Sequence, residues 1–427
     1  MSINNGLALT PPMGWNSWDC FGPSVREDEV KANADYMAQH LLKFGWDTIV
    51  VDIQWYEPAA RSHGYRPNAE LVMDEYGRLL PALNRFPSAA NGAGFKPLAD
   101  YVHSKGLKFG IHILRGIPRQ AVRLNLPIYN SPYHASDVAN TASVSSWIDD
   151  MYGIDMSKAG AQAYYDSIAE LYASWDVDFI KADDILYPYH EAEIGGLSQA
   201  IQRTKRPIVL SLSPGVEMTT DHYPHLQQNC ELFRISADFW DRWVDLKDQF
   251  ANCHKWENFT GVGCWADADM LPLGHIGIRA ERGDDRQSLF TRDEQITLMT
   301  LWVISRSPLM FGGDLPGNDD FTLSLLTNDE VLQVHRASQN NRQLFQKGDH
   351  IAWIAKSTAS DDQYLALFNI GDESSVVEVD LSLLGNNVSY NARDLWSKTD
   401  VGSVQGKWSQ QIAPHAAAFY RLRTLVS

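Results

Sequence analysis

The sequence predicts a parallel α/β fold closed as a (β/α)8 TIM barrel over residues 1–340, followed by an antiparallel β-sandwich domain over residues 341–427. Three observations predict it. Between residues 46 and 338, short and nearly continuous apolar runs alternate with longer helical patterns, which is how strands buried on both faces of a parallel sheet look when crossover helices join them. That alternation lasts about 300 residues, a length that suits an eightfold barrel. After residue 340 the helical pattern stops, and short β-rich runs separated by Gly, Asn, Asp and Ser take over, the texture of a small antiparallel sandwich.

The barrel strands are expected at WDTIVVDI (46–53), LKFGIHI (107–113), DFIKAD (178–183), PIVLSLS (207–213) and LFRISAD (232–238). The helices between them are expected in EDEVKANADYMAQHLLKFG (27–45), FKPLADYVHSKG (95–106), AQAYYDSIAELYASW (161–175), EAEIGGLSQAIQRTK (191–205) and DEQITLMTLWVISRS (293–307). Glycine just past the last turn, in the Phe-Gly and Lys-Gly endings, marks helix termination. Sandwich strands are expected in HIAWIAKS (350–357), QYLALFNI (363–370), SSVVEVDL (374–381) and AAAFYRLR (416–423), with the boundary near RASQNNRQ (336–343).

Composition excludes several classes of function. The chain has 427 residues, 44% apolar and 21% charged, with 53 acidic against 36 basic residues and a formal charge of −17. That balance argues against nucleic acid and anionic membrane as partners. No run approaches the ~18 apolar residues of a membrane helix, and no GxGxxG follows a strand, so no dinucleotide cofactor is expected. Cys20, Cys230, Cys253 and Cys264 show neither zinc spacing nor a disulfide framework. The opening MSINNGLALTPPMGW lacks a basic segment followed by an apolar run, and a cytoplasmic location is the expectation. Most of the 14 tryptophans serve the core; a minority suits stacking against sugar rings, since indole joins a flat apolar face to a polar edge. Oligomeric state is left open, a homo-oligomer included.

The ends of the strands carry the chemistry. In a barrel of this kind the site lies at the C-terminal ends of the strands, and five consecutive runs reach polar or ionisable residues there: Asp52, His112, Lys181 with Asp183, Ser213, and Arg234 with Asp238. Lys181 and Asp183 are two apart, so both side chains point to one face of their strand. Asp183 and Asp238 lie on strands two apart and can face each other across the mouth. Two carboxylates about 5 Å apart are the retaining glycosidase arrangement. Lys181 beside Asp183 would keep it ionised as a nucleophile. Asp238 must hold a proton for part of the cycle, which the negative charge of Asp183 favours. Two other classes fit the same residues: a Schiff-base lysine enzyme using Lys181, and a non-catalytic sugar-binding barrel.

At this point the sequence resembles the α-galactosidases and α-N-acetylgalactosaminidases of glycoside hydrolase family 27. LALTPPMGWNSWDCFG (7–22) is similar to that family's opening strand, KAD (181–183) to its nucleophile motif, and RISAD (234–238) to its arginine and acid/base pair. WADADML (265–271), SPLMFGGDL (307–315), ARDLW (392–396) and IAPHAAAFYRL (412–422) continue the likeness in order along the chain. The resemblance implies Asp183 as nucleophile and Asp238 as acid/base. It implies Trp18 as the platform under the sugar, Asp52 on the axial hydroxyl, His112 in the pocket lining, and Lys181 and Arg234 on sugar hydroxyls. Asp267 and Asp269 would support the site, Asp269 counted among the substrate-binding residues, with no metal.

Three departures from the family pattern carry information. Where many α-galactosidases have two aspartates at the end of the second strand, this chain has Asp52 followed by Ile53. Isoleucine cannot accept a hydrogen bond from a 6-hydroxyl, and its branched side chain occupies the space of the hydroxymethyl group. That favours β-L-arabinopyranose, which is α-D-galactopyranose without C6. Ser213 in SLSPG (211–215) is similar to the α-N-acetylgalactosaminidase solution, which leaves room at the 2-position. Ile185 stands where extracellular members have a bridged cysteine, and Asp184 beside it is expected to salt-bridge Arg115 across that gap.

Overall fold

The computed structural model describes residues 6–385 and 389–425. Eight short strands form one parallel sheet: β1 Met13–Asn16, β2 Thr48–Val51, β3 Lys108–Leu114, β4 Phe179–Asp183, β5 Val209–Leu212, β6 Leu232–Arg234, β7 Trp265–Asp267 and β8 Leu309–Phe311. Their spatial order follows chain order, with β8 returning to pair with β1. Closure between β7 and β8 comes from Leu271, just past β7. Its N–H donates to Met310 O at 2.8 Å, and its carbonyl accepts from Gly312 N at 3.0 Å. The eightfold barrel predicted from the alternation is therefore present.

Each strand is followed by a helix: α1 Glu27–Tyr36, α2 Lys96–Ser104, α3 Ala161–Ser174, α4 Glu191–Arg203, α5 Tyr223–Asn229, α6 Trp243–Trp256, α7 Arg292–Ser305 and α8 Asp329–Arg336. The single helix expected over 27–45 is shorter. It loosens into a π-type turn at Met37–Leu41 and tightens to a 3-10 turn at Leu42–Phe44, then stops at Gly45, whose φ of +97° a side chain would strain. Helix α7 begins with a capping box: Thr291 Oγ1 accepts from Glu294 N at 3.2 Å and Glu294 Oε2 accepts from Thr291 N at 2.8 Å.

The C-terminal strands are β9 Ser338–Lys347, β10 His350–Ser357, β11 Gln363–Asn369, β12 Ser375–Asp380, β13 Tyr390–Asp394, β14 Thr399–Val404, β15 Lys407–Ile412 and β16 Ala417–Thr424. Six make one sheet in the order β9-β10-β11-β16-β13-β14, and β12 pairs with β15. The apolar runs in β10 and β11 are continuous because both faces of this sheet are buried. Ile351, Trp353, Tyr364, Ala366 and Phe368 face the barrel core, while Ala352, Ile354, Leu365 and Leu367 face the sandwich interior, the period-2 alternation of a strand. Phe368 meets Phe250 of α6 edge-on at 4.9 Å, and burying such a side chain contributes about 2–3 kcal/mol. Thr297 Oγ1 donates to His415 O at 2.7 Å and Trp396 Nε1 to Thr300 Oγ1 at 2.9 Å. These two bonds tie α7 to the sandwich and explain why that helix is buried almost all round.

Among the described residues no helix is long and apolar enough to cross a membrane, and all four cysteines are free and buried.

Candidate active site

The barrel register brings the strand ends together. His112 of β3 pairs with Lys181 of β4, and Leu114 with Asp183, so three ionisable groups from adjacent strands share one end of the sheet. Asp52 follows β2 directly. Its carboxylate is 1% exposed and held by three donors: Lys181 Nζ stands 2.9 Å from Oδ2, Asn16 Nδ2 donates to Oδ2 at 2.7 Å, and Ile53 N donates to Oδ1 at 2.9 Å. Burial alone would raise this carboxyl. The charges of Lys181 and His112, and the hydrogen bonds from Lys181 and Asn16, outweigh it and hold the group below its ordinary value.

Asp183 has different partners from those the two-residue spacing suggests. Lys181 turns to Asp52, and the direct contacts of Asp183 are His112 Nε2 at 3.2 Å from Oδ2 and the Asp184 N–H, which donates to Oδ1 at 2.8 Å. A carboxylate only accepts, so the His112 proton sits on Nε2 in this arrangement. Burial pushes Asp183 up, but the His112 hydrogen bond and charge, then Lys181, then the Asp184 N–H hold it well below the carboxylate range. Lys181 moves the other way: Asp52 and Asp183 overcome burial and raise it.

Strand β6 stops at Arg234, four residues short of the expected end, so Asp238 stands on the loop beyond it with its side chain 51% exposed. Arg234 Nη2 lies 3.3 Å from Asp238 Oδ1 and 2.7 Å from Asp269 Oδ2. Asp269 Oδ2 also accepts from Phe239 N at 2.8 Å, so one buried carboxylate holds both the arginine and the backbone next to Asp238. Its own backbone has φ +87°. That conformation is fixed by the Asp269 N–H donating to Asp267 Oδ1 at 2.9 Å and by Trp302 Nε1 donating to its carbonyl at 2.8 Å. Burial, opposed by Arg234 and reinforced by Asp238 and Asp267, pushes Asp269 up to about 6.

Trp18, Asp52, Ile53, Lys181, Asp183, Arg234, Asp238 and Asp269 all line one cavity of about 620 Å³. His112 lies behind this wall, fully buried, and acts on the cavity through Asp183. Ser213 is placed differently from the sequence expectation. It is 1% exposed, its Oγ has no hydrogen-bond partner, and it borders a small void of about 20 Å³ under the cavity floor. Pro214 and Val216 form the wall where Ser213 was expected. The Ser213 N–H is spent on Ala182 O at 2.9 Å, which keeps the residue inside the barrel.

The cavity also includes residues that strand-end reasoning passed over. Tyr65 stacks beside Trp18 with centroids 6.3 Å apart, and Trp147 packs against Tyr65 at 5.3 Å. Both stand in the long segments that follow β2 and β3, and the length of those segments was the available signal. Asp19 follows Trp18 directly. Its carboxyl is buried against Gly312, with Oδ2 unpartnered, and burial and Asp269 push it well up. The expected Arg115–Asp184 pair is present: Arg115 Nη2 lies 3.1 Å from Asp184 Oδ2, and its Nε donates to the Asp184 carbonyl. A buried guanidinium thus fixes the residue whose N–H holds Asp183. Burial, opposed by Arg115 and reinforced by Asp183, pushes the Asp184 carboxyl up to about 6.

Comparison with known proteins follows the same residues. A family model described as alpha galactosidase A matches residues 10–151 and 147–337, and one described as the alpha galactosidase C-terminal beta sandwich domain matches 347–422. Alpha-galactosidase 2 of Arabidopsis thaliana is 28% identical over 437 residues, covering 99% of this chain and 91% of that protein. The crystal structure of a GH27 β-L-arabinopyranosidase from Geobacillus stearothermophilus is 55% identical, covers 98% of both chains and superposes with a TM-score of 0.96. A variant of that enzyme, solved in complex with arabinose, matches equally well. A Bacillus halodurans structure assigned only provisionally as an alpha-N-acetylgalactosaminidase is 49% identical over 99% of each chain, with a TM-score of 0.89. The chain belongs to the alpha-galactosidase family of glycoside hydrolases, family 27, and is a glycoside hydrolase.

Proposed function

We propose that this protein is a retaining exo-glycosidase that removes terminal β-L-arabinopyranosyl residues in preference to α-D-galactopyranosyl ones. The observation that carries the substrate choice is Ile53. It is buried in the cavity wall directly after Asp52, with its N–H on the Asp52 carboxylate. With Asp52 on the axial hydroxyl, the next position outward belongs to C6 of a hexose, and there the wall offers a branched hydrocarbon. A 6-hydroxyl buried there unpaired loses about 1–3 kcal/mol, roughly one to two orders of magnitude in rate. A pentopyranose has no such group. The 55% identity to a β-L-arabinopyranosidase supports the same choice.

In the proposed reaction the Asp183 carboxylate attacks the anomeric carbon while Asp238 gives its proton to the departing glycosidic oxygen. The bond to the leaving group breaks as the ester to Asp183 forms. A water, deprotonated by Asp238, then attacks the same carbon from the vacated side, and Asp183 leaves as a carboxylate. His112, the Asp184 N–H and the Lys181 charge keep Asp183 anionic for its attack and stabilise the carboxylate that departs in the second step. Asp269, through Arg234 and Phe239 N, keeps Asp238 over the mouth. Lys181, paired with Asp52 and raised above its ordinary value, is the opposite of the neutral amine a Schiff base needs. With Pro214 and Val216 in the wall and Ser213 beneath it, room for a 2-acetamido group has no support.

Paired nitrophenyl glycosides test this reading. The β-L-arabinopyranoside should turn over with the higher kcat/KM; an α-galactoside faster by about tenfold or more removes the Ile53 argument.

A further inference from the structure

Between β3 and α3 the chain makes a small antiparallel sheet from Ile117–Pro118, Ala139–Val144 and Met151–Ile154. The turn joining its last two strands carries Trp147, a large indole left 37% exposed. This turn is tied down at both ends. At one end Arg115, paired with Asp184, donates from Nη1 to Ser143 Oγ at 3.1 Å. At the other, Gln54 Nε2 and Tyr56 OH donate to Asp150 Oδ2 at 2.7 and 2.9 Å, and Asn68 N donates to Asp149 Oδ2 at 2.9 Å. Asp184 thereby gains a role: its backbone N–H holds Asp183, and its side chain pairs with the arginine that reaches Ser143.

Depth in the cavity orders the groups. Side-chain exposure rises from 1% at Asp52 to 18% at Asp183 and 51% at Asp238. A sugar bound with its axial hydroxyl on Asp52 therefore points its anomeric oxygen outward, and whatever leaves is at the level of Asp238 and Trp147. The same lining includes Arg242, Glu281 and Arg282. A flat indole in a cavity that also carries charged groups suits a ring with apolar C–H faces and a hydroxylated edge.

We infer that Trp147 is the stacking platform of a leaving-group subsite, and that the subsite takes a second pyranose ring. This rests on the proposed exo-glycosidase reading, and the test separates the two. Hydrolysis of a β-L-arabinopyranosyl-hexose disaccharide is compared with that of β-L-arabinopyranosyl fluoride, whose leaving group has no ring and needs no proton. Trp147→Ala should lower kcat/KM for the disaccharide about three- to tenfold more than for the fluoride, the strength of one aromatic stacking contact. Trp147→Leu, which fills the space beside Tyr65 without a flat face, should lose as much, and Trp147→Phe should recover most of the loss. An unchanged ratio in both Ala and Leu variants overturns the platform alone. If the unaltered protein fails to hydrolyse the fluoride, the glycosidase reading falls and the platform with it.

Discussion

Lys181→Met would remove the charge on which the cavity floor rests while keeping a stem of similar length. The ammonium stands 2.9 Å from Asp52 Oδ2, and Asp52 is 1% exposed, so the pair is largely shielded from solvent. The carboxylate would keep Asn16 at 2.7 Å and the Ile53 N–H at 2.9 Å, with His112 at 3.9 Å. Deleting one partner of a buried pair costs about 3–5 kcal/mol, and the two surviving hydrogen bonds place this case near ~3 kcal/mol. For a chain of 427 residues unfolding in one step, at about 2.1 cal/mol/K per residue, that is a fall in Tm of about 3–4 °C. The pH dependence has a definite sign. In the unaltered protein Asp52 sits below its ordinary value, so its contribution is present above pH ~4 and is lost only as pH falls through the depressed value. In the variant the same buried carboxyl moves above its ordinary value, and protonation then favours the folded state. The stability deficit should therefore shrink between pH 8 and pH 5. Thermal melts across that range, with the Lys181→Met/Asp52→Asn double variant alongside, read it directly. The double variant should recover at least about half of the deficit. A deficit flat with pH and additive in the double variant would refute the pairing as the source of stability.

Two further outcomes follow from the site. Asp183→Ala should lower hydrolysis of glycosides by about 10⁴-fold or more. Azide should restore turnover of a nitrophenyl glycoside as the anomerically inverted azide, and NMR of the unaltered enzyme's first product should show retention. Inversion by the unaltered enzyme would refute the double displacement. Ile53→Asp should raise the ratio of galactoside to arabinopyranoside kcat/KM by roughly ten- to a hundredfold, and an unchanged ratio would show that Ile53 only packs.

The sequence carried the fold where burial is two-sided and regular. HIAWIAKS was read as a strand over 350–357 and β10 spans those residues, because an apolar run of that length has one stable use in a sheet covered on both faces. The insertion between β3 and α3 was not legible. ANTASV at 139–144 is mostly exposed, so it shows no apolar alternation to detect. Within the site, residue identities were readable from strand ends, but partners were not. Lys181 and Asp183 do share a face, yet the register sets His112 beside Lys181 and leaves the ammonium nearer Asp52. That choice depends on strand pairing, which no spacing within one strand encodes. Asp238, read as the end of its run, and Asp269 stand off the strands for a related reason. Both lie on loops past short strands, held by Arg234 rather than by the ladder. Arg115 with Asp184 was readable because a missing cysteine left two complementary charges at the same gap.

The charges around the cavity fall into two groups, and the division bears on both halves of the reaction. Asp19, Asp52, Asp183, Asp238, Asp267 and Asp269 stand in or just beneath it, with Lys181 and Arg234 among them, and Arg242, Glu281 and Arg282 also in the lining. Asp52 and Asp183 are held down, while Asp19, Asp267 and Asp269 are pushed up by burial first of all. A ring acquiring positive charge at its anomeric carbon is attracted by the Asp183 carboxylate, which is held anionic, more than a neutral sugar is, so that contact favours the transition state over the bound substrate. The strongly lowered Asp183 adds a second consequence. An anion stabilised this far is a weaker nucleophile, which slows formation of the glycosyl ester, but it is a correspondingly better leaving group when water breaks that ester. The His112 contact at 3.2 Å and the Asp184 N–H at 2.8 Å thus favour release of the intermediate over its formation.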